Sequence, residues 1–598
     1  MNTQPIIEKQ ERIDDVPLLF GMMNRLNIAK VLDKHLGQHH FHQGLSNGNL
    51  AVGWMAYVLS QSDHRKCAVQ EWSMQLKHTL ESLYGTTLRP QEFSDDRLAI
   101  LAKNLAAADW AAIESDLFHS CFEVHQLPTD TFRVDATASC GYHGIDPDGI
   151  MQLGHSKDHR PDLPQLKIMA AVTQPLAFPV STSIVPGNQP DDVLYWPTIV
   201  EVKKLIGHTG LLFVGDCKMA SLENRARIAA AGDYYLTPLP HTGKTAQLFD
   251  SWVDTALLRE KSLACDDELT QVWKTNAKNK QELIAKGYEF TRTLTDEVDK
   301  KEVTWTERVQ VMQSQSMLES QKQSLEKKLK EAQERLSTLT LSGKGRPVWR
   351  DQEQLAQAVR DILQSNEVEG LLDVSWEKDE WETKRYGKPG RPGPAEKAEV
   401  IVETRYRIKQ VKRNEEKIKH RQERMGWRAE VTNAPVEKLS LQASVLTYRE
   451  GAGLERPFHQ LKDAPLGIRP LFVRLSEQIE GLTRFLLIAL RVLTMIEIVV
   501  RAKLAQTGEK LDDLHEGQKN KKEDKPTGKR LLRGIARLKL TLNLVVCGAC
   551  SFWYLKALPK LLLRVLGLLG LSPTLYTQLT RSALPSPSRA FLPCSPAG

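Results

Sequence analysis

The sequence predicts an α/β protein: a mixed five-stranded sheet flanked by helices. A helical N-terminal domain, a large insertion and a helical C-terminal region accompany that core. Three observations predict it. Short apolar runs bounded by Gly, Pro and Asp turns begin near residue 131 and read as strands. Helix-period segments ending in glycine alternate with them. The stretches before and after repeat apolar residues at three- and four-residue spacing.

Residues 1–125 read as helical, with runs such as NLAVGWMAYVLSQ (49–61). They form either a DNA-binding module or a cap on the sheet-bearing core. TFRVDATA (131–138), QLKIMAAVT (165–173) and FPVSTSIVP (178–186) read as three strands. A helix over 191–207, a strand over 211–216, a helix over 221–232 and a strand over 233–239 come next. Three strands, helix, strand, helix, strand is the order expected of a ribonuclease H-like core over 126–240. An insertion over 241–425 interrupts it. There Val311, Leu318, Leu325, Leu329, Ala332, Leu336 and Leu339 fit heptad spacing, and 351–364 supplies a partner for a helical hairpin. Strand-like pieces flank the hairpin. Residues 426–505 return to the core and end in a long helix. A charged linker (506–530), a helical region (531–582) and an aperiodic tail (583–598) close the chain.

With 598 residues and 41% hydrophobic residues, the chain is long enough for roughly three or four domains with real cores. Charge is nearly balanced, 81 Lys+Arg against 74 Asp+Glu, but cations cluster at 405–428 and 519–540. Such blocks neutralise phosphates or merely solvate a surface. Eight scattered cysteines suggest no disulfide framework and point to a reducing cytosol. Cys547-Gly-Ala-Cys550 lacks the partner pair a zinc site needs. The N-terminus has no basic-then-apolar targeting pattern. The apolar run 485–500 carries Arg491 and Glu497 and reads as a buried helix, not a membrane span.

Three acids carry the chemistry. Asp135 lies mid-strand in TFRVDATA, and Asp216 ends the strand LLFVGD. Glu455 lies in the helix-period segment TYREGAGLERPFHQLKD. A parallel sheet places ligands at the carboxyl ends of its strands. Two strand aspartates and one helix glutamate suit a pair of Mg²⁺ ions, with Mn²⁺ as a substitute, that clamp the attacking and leaving oxygens of a phosphodiester. Asp135 is the candidate bridging ligand, with Asp216 and Glu455 completing the two sites.

The segment around Glu455 resembles the Tyr-(2)-Arg-(3)-Glu-(6)-Lys signature of insertion-sequence transposases of family four, which use an Asp-Asp-Glu triad. Tyr448, Glu455 and Lys462 fall in register; position 451 is Gly, and the nearest arginine is Arg449. GHSKDHRPDLPQLKIMA (154–170), VGDCKMASLEN (214–224) and two terminal segments also resemble that family. The resemblance implies a transposase that cuts at the inverted repeats of its element and transfers the freed ends to target DNA. It implies a homodimer on double-stranded DNA, acting in the bacterial cytoplasm at the nucleoid. Tyr448 and Lys462 would hold the DNA backbone, with Arg449 beside them. Lys462 lies two helical turns after Glu455, on the same face. His155 and His159 read as part of a polar turn in which Lys157 and Arg160 meet DNA, rather than as a zinc site. Basic loops at 344–347 and 390–392 and the tryptophans of the insertion are further candidates for DNA contact. The helices at 475–504 and 555–571 are candidate pairing surfaces. Two other readings stay open: a degenerate transposase that binds ends without cutting, and a non-catalytic scaffold built on the 311–339 hairpin.

Overall fold

The computed structural model describes residues 6–581 apart from 39–41, 157–159, 262–268, 277–278, 342, 344–346, 386–398, 450–451, 519–520 and 548–549. The chain forms two compact units. One comprises Met1–Thr237, Thr295–Trp305 and Thr447–Gly598, the other Pro238–Leu294 and Thr306–Leu446.

Among the described residues the first unit opens with strand β1 (Ile6–Arg12) and seven helices between Val16 and His125, the last being α7 (Trp110–His125). Then come β2 (Thr131–Cys140), β3 (Gln165–Thr173), β4 (Pro179–Pro186), α8 (Asp192–Ile206), β5 (Leu212–Val214), α9 (Leu222–Ala230) and β6 (Tyr234–Pro238). The strands run in the order β4-β3-β2-β5-β6. β3 is antiparallel to β2 and β4, whereas β2, β5 and β6 are parallel. Every residue of β3 is buried, as its apolar run 168–172 requires of a strand covered on both faces, and Lys167 of the same strand is buried in a pair with Asp191 at 2.7 Å. The fold is thus mixed α/β, with the strands and helices of this stretch in the order the sequence predicts.

Helix α16 (Ser476–Thr507) is the spine of this unit, preceded by α15 (Ala452–Lys462). Its middle is buried on all sides, with Phe485 stacked on Trp54 at 4.0 Å. Each fully buried Leu, Ile or Phe there contributes about 1.5–3 kcal/mol. Its two mid-helix charges are both satisfied. Arg491 pairs with Glu114 of α7 and donates to the Pro179 carbonyl at 3.1 Å. Glu497 takes Arg456 and Arg501, each at 2.8 Å. A helix covered this completely does not offer the pairing surface expected at 475–504. Among the described residues no helix is long and apolar enough to cross a membrane.

Three expectations need correction. The N-terminal stretch is not all helical, because β1 pairs with β13 (Thr541–Cys547) from the far end of the chain. Glu11 of β1 is buried and accepts from the backbone N–H groups of His78 and Thr79 at 3.0 and 2.8 Å. The C-terminal region is likewise not all helical. After α17 (Gly528–Ala536), β13 forms a hairpin with β14 (Cys550–Leu555) before α18 (Lys560–Leu569) and α19 (Thr574–Thr577). Cys547 and Cys550 face each other across that hairpin, both exposed. The segment at 506–530 is more than a linker, since Leu511 and Leu514 are buried and Leu511 bridges to Glu523. The tail at 583–598 lies outside the described residues.

The second unit opens with α10 (Gly243–Lys261). It holds the strand run β12-β9-β8-β7, from β7 (Thr270–Thr275), β8 (Gln281–Val298), β9 (Lys301–Ser314) and β12 (Trp427–Thr432). The tip of the β8–β9 hairpin belongs to the first unit, where Trp305 Nε1 donates to the Tyr235 hydroxyl at 2.9 Å. Helices α11 (Gln315–Leu339) and α12 (Gln352–Ser365) form the predicted hairpin, Leu325, Leu329, Ala332 and Leu336 packing with Leu355, Val359 and Ile362. Val311 is not part of that seam; it is buried in β9, paired with Ala429. A ribbon of β10 (Leu372–Arg385) and β11 (Glu399–Arg413) follows, then α13 (Glu415–Glu423) and α14 (Leu441–Arg449), whose last turn returns to the first unit.

Candidate active site

Arg133 of β2 pairs with Val214 of β5 in parallel register. β5 keeps its course through Gly215, whose N–H donates to the Leu236 carbonyl at 3.2 Å. Two residues further along each strand, Asp135 and Asp216 therefore stand level on neighbours about 4.8 Å apart. The chain turns immediately after Asp216. Gly215 permits that turn, because a Cβ there would come within 2.6 Å of Met219 Sδ and 2.9 Å of its Cβ.

Asp216 Oδ1 accepts from the Tyr195 hydroxyl of α8 at 2.6 Å and from the Lys218 N–H at 2.8 Å. Its backbone carbonyl accepts from Thr237 Oγ1 at 2.6 Å. Burial, and then the charges of Asp216 and Asp135, hold the Tyr195 hydroxyl well above its usual range, so it stays protonated and donates. The Cys217 thiol is raised by burial and by the same two carboxylates. Two separate groups thus feel both aspartates, as expected of acids that face one small space.

Glu455 is exposed, in the first turn of α15. One turn later Phe458 packs on Ala170, Val172 and Ala177. Ala170 is the residue directly opposite Asp135 on β3. A buried clamp fixes the rest of the helix, for Arg456 and Gln460 both reach Glu497. The end of α14 is pinned to the same strand. Arg133 donates to the Thr447 and Tyr448 carbonyls at 3.2 and 2.8 Å and lies 5.2 Å from the Tyr448 ring centroid. Arg133 and Asp135, two residues apart, share a face of β2, so Tyr448 lies on that face too.

The family described as Transposase DDE domain matches residues 134–492, more than half of the chain. The chain belongs to that family. No curated protein matches it. Among solved structures it is similar to one titled "Cryo-EM structure of piggyBac transposase synaptic complex with hairpin DNA (SNHP)", at 8% identity and a TM-score of 0.33 over 88% of this chain and 80% of that one.

The remaining residues singled out from the sequence of this transposase are more dispersed. Lys462 is half-buried at the far end of α15, and Arg449 half-buried at the end of α14. Arg160 faces outward in a two-pronged pair with Asp162 at 2.8 and 2.7 Å. Lys157, His159 and the basic loops at 344–346 and 390–392 lie outside the described residues. Among the described residues no three His, Cys, Asp or Glu side chains form a ready-made metal cluster. The 405–428 cations are largely taken up within the second unit: Arg405 by Glu403, Arg407 by Asp379, Arg413 by Glu326 and Arg424 by Asp254. Of the insertion tryptophans, Trp273 and Trp381 are exposed, the latter under Arg405 at 4.8 Å.

Sequence reasoning missed Tyr195, Arg133 and Glu497. Arg133 carried a signal, two residues before Asp135 on one strand face. Glu497 also carried one, a lone acid in an apolar helix. Tyr195 carried none, since its contact exists only once α8 packs against the sheet.

Proposed function

We propose that this chain cuts DNA at the ends of its own element by metal-dependent hydrolysis and transfers the freed 3′-hydroxyls to a target. The observation that carries this reading is the level pair Asp135–Asp216, with the Glu455 helix seated on the residue opposite Asp135. The strand order, with β3 antiparallel and β5 and β6 parallel to β2, supports the finer assignment to a ribonuclease H-like core. The register of Tyr448, Glu455 and Lys462 supports placement with family four. On the same resemblance, the enzyme acts in the bacterial cytoplasm.

The donor set suits hard divalent cations, which take carboxylate and water oxygens. One oxygen of Asp216 is held by two donors, while no hydrogen bond reaches Oδ2 among the described residues. Asp135, Asp216 and Glu455 would hold Mg²⁺ or Mn²⁺, Asp135 as the shared ligand. Bound there, the ions would activate the attacking hydroxyl and steady the leaving oxygen. The protein's own groups do the rest. Tyr195 orients the Asp216 carboxylate. Arg133 sets the position of Tyr448, which with Arg449 and Lys462 would hold the backbone phosphates beside the scissile bond. A single such centre per chain and two ends per element imply a homodimer assembled on DNA.

The test is a nicking assay on DNA carrying the inverted repeats that flank the gene, with and without Mg²⁺. Metal-dependent release of 3′-hydroxyl ends supports the proposal. Binding of the repeats without cutting would select the degenerate reading, and no binding at all the scaffold reading.

A further inference from the structure

The cations between 529 and 539 gather at one surface, whereas the 405–428 cations are largely paired. An open groove of about 740 Å³ is lined by Arg12, Lys529, Arg530, Arg533, Arg537 and Lys539, together with His515 and Glu516. Lys529, Arg533 and Arg537 recur every four residues and form one stripe, while Leu531, Leu532 and Ile535 bury the other face of α17. Asp14 takes up Arg12 and Glu523 takes up Arg530. The Arg537 guanidinium donates to the Leu514 carbonyl, an uncharged acceptor that leaves its charge in place. Lys529, Arg533 and Lys539 have no ion-pair partner among the described residues. The Lys529 ammonium is held below its usual range by burial and then by Arg533, while Asp463 opposes.

The groove is built on a fixed element. A Cβ on Gly528 would come within 2.6 Å of the Leu493 carbonyl oxygen, so α17 is pressed directly onto α16. The Gly528 N–H donates to Glu497 at 3.1 Å, the same carboxylate that holds Arg456 and Gln460 of α15. The basic helix and the helix of Glu455 therefore share one anchor.

We propose that this groove binds the phosphate backbone of duplex DNA running beyond the cleaved bond, without reading its sequence. The stripe from Lys529 to Arg537 extends about 12 Å at 1.5 Å per residue. One strand carries a charge about every 3.4 Å of helix axis, so that length meets several phosphates. Among the described residues no Phe, Tyr or Trp lines the groove, and its one ring, His515, is tied to Glu523 at 3.0 Å, so backbone charge rather than base stacking is what the groove offers to read. The surplus of fixed positive charge matches a polyanion better than a single phosphate. This deepens the DNA-cutting reading and rests on it.

The experiment measures binding of a labelled duplex by fluorescence anisotropy across a salt series, without metal. It uses the full chain in an Asp135→Asn background, so the result does not depend on cutting. Arg533→Gln with Lys539→Gln changes two exposed side chains that bury nothing. The slope of log affinity against log salt should become shallower by about 1.8, two phosphate contacts, and equally so for unrelated duplexes. Arg407→Gln, a cation paired with Asp379 in the second unit, should leave the slope unchanged. An unchanged slope in the double variant overturns the groove, as does an equal change in Arg407→Gln. So does a groove that binds inorganic phosphate while the DNA slope stays fixed. Failure of wild type to nick DNA, by contrast, would overturn the cutting reading and leave this binding result standing.

Discussion

Tyr195 donates its hydroxyl to Asp216 Oδ1 at 2.6 Å. The tyrosine is buried, and burial together with two nearby carboxylates keeps it protonated. It therefore acts as a permanent donor that fixes one oxygen of Asp216. Removing such an outer partner of a metal ligand lowers metal affinity about 10–100-fold.

Tyr195→Phe should accordingly raise the Mg²⁺ concentration for half-maximal nicking by that factor, with the maximum rate largely recovered at high Mg²⁺. The ring stays, so packing is preserved. A superimposable metal titration would show that Tyr195 does not position Asp216.

Glu497 joins three helices, accepting from Arg456 and Gln460 of α15, Arg501 of α16 and the Gly528 N–H of α17. Glu497→Ala leaves partly buried arginines uncompensated and should destabilise the first unit by about 3 kcal/mol. The readout that separates positioning from plain destabilisation is steady-state nicking well below the melting temperature. kcat should fall more than KM rises, because the Glu455 helix loses its clamp. Loss of stability with unaltered kcat would confine Glu497 to the core.

His125 supplies a pH dependence. Burial, then the charge of Arg25, pushes its imidazole down to about 4. An unfolded histidine titrates near 6.5. The folded state thus binds the proton less readily. His125 contributes its full stability above about 6.5 and loses it as pH falls toward 4. Asp15 runs the other way: burial raises it to about 6, so its contribution fades as pH rises through that value. Comparing wild type with His125→Gln at each pH cancels Asp15. The wild-type advantage in urea midpoint should shrink from pH 7 to pH 5. The effect is about 1 kcal/mol, because half of the ring remains screened by solvent. Parallel curves would remove His125 as the source.

Legibility followed locality. QLKIMAAVT matches β3 from its first residue to its last because its short length and the Pro-bearing turns around it decide for a strand where periodicity alone does not. Asp216 was legible because it closes such a run. β1 was not, since IIEKQER carries no apolar alternation and its partner lies at the other end of the chain. Val311 fits the heptad of α11, yet it belongs to a strand; short apolar patterns cannot distinguish the two. The order and element types of the segments bearing Asp135, Asp216 and Glu455 were legible. The contacts that support it, from Tyr195, Arg133 and Phe458, depend on tertiary packing that no local window contains.

The most direct test compares single-turnover nicking and end binding for wild type, Asp135→Asn, Asp216→Asn and Glu455→Gln on the same repeat-bearing DNA with Mg²⁺. Each variant should bind as wild type does and nick at least about 10³-fold more slowly, since each removes a carboxylate proposed to hold the metal ions. Retained Mg²⁺-dependent nicking by any one of the three would remove that residue from the site. Retention by Asp135→Asn would contradict the account outright.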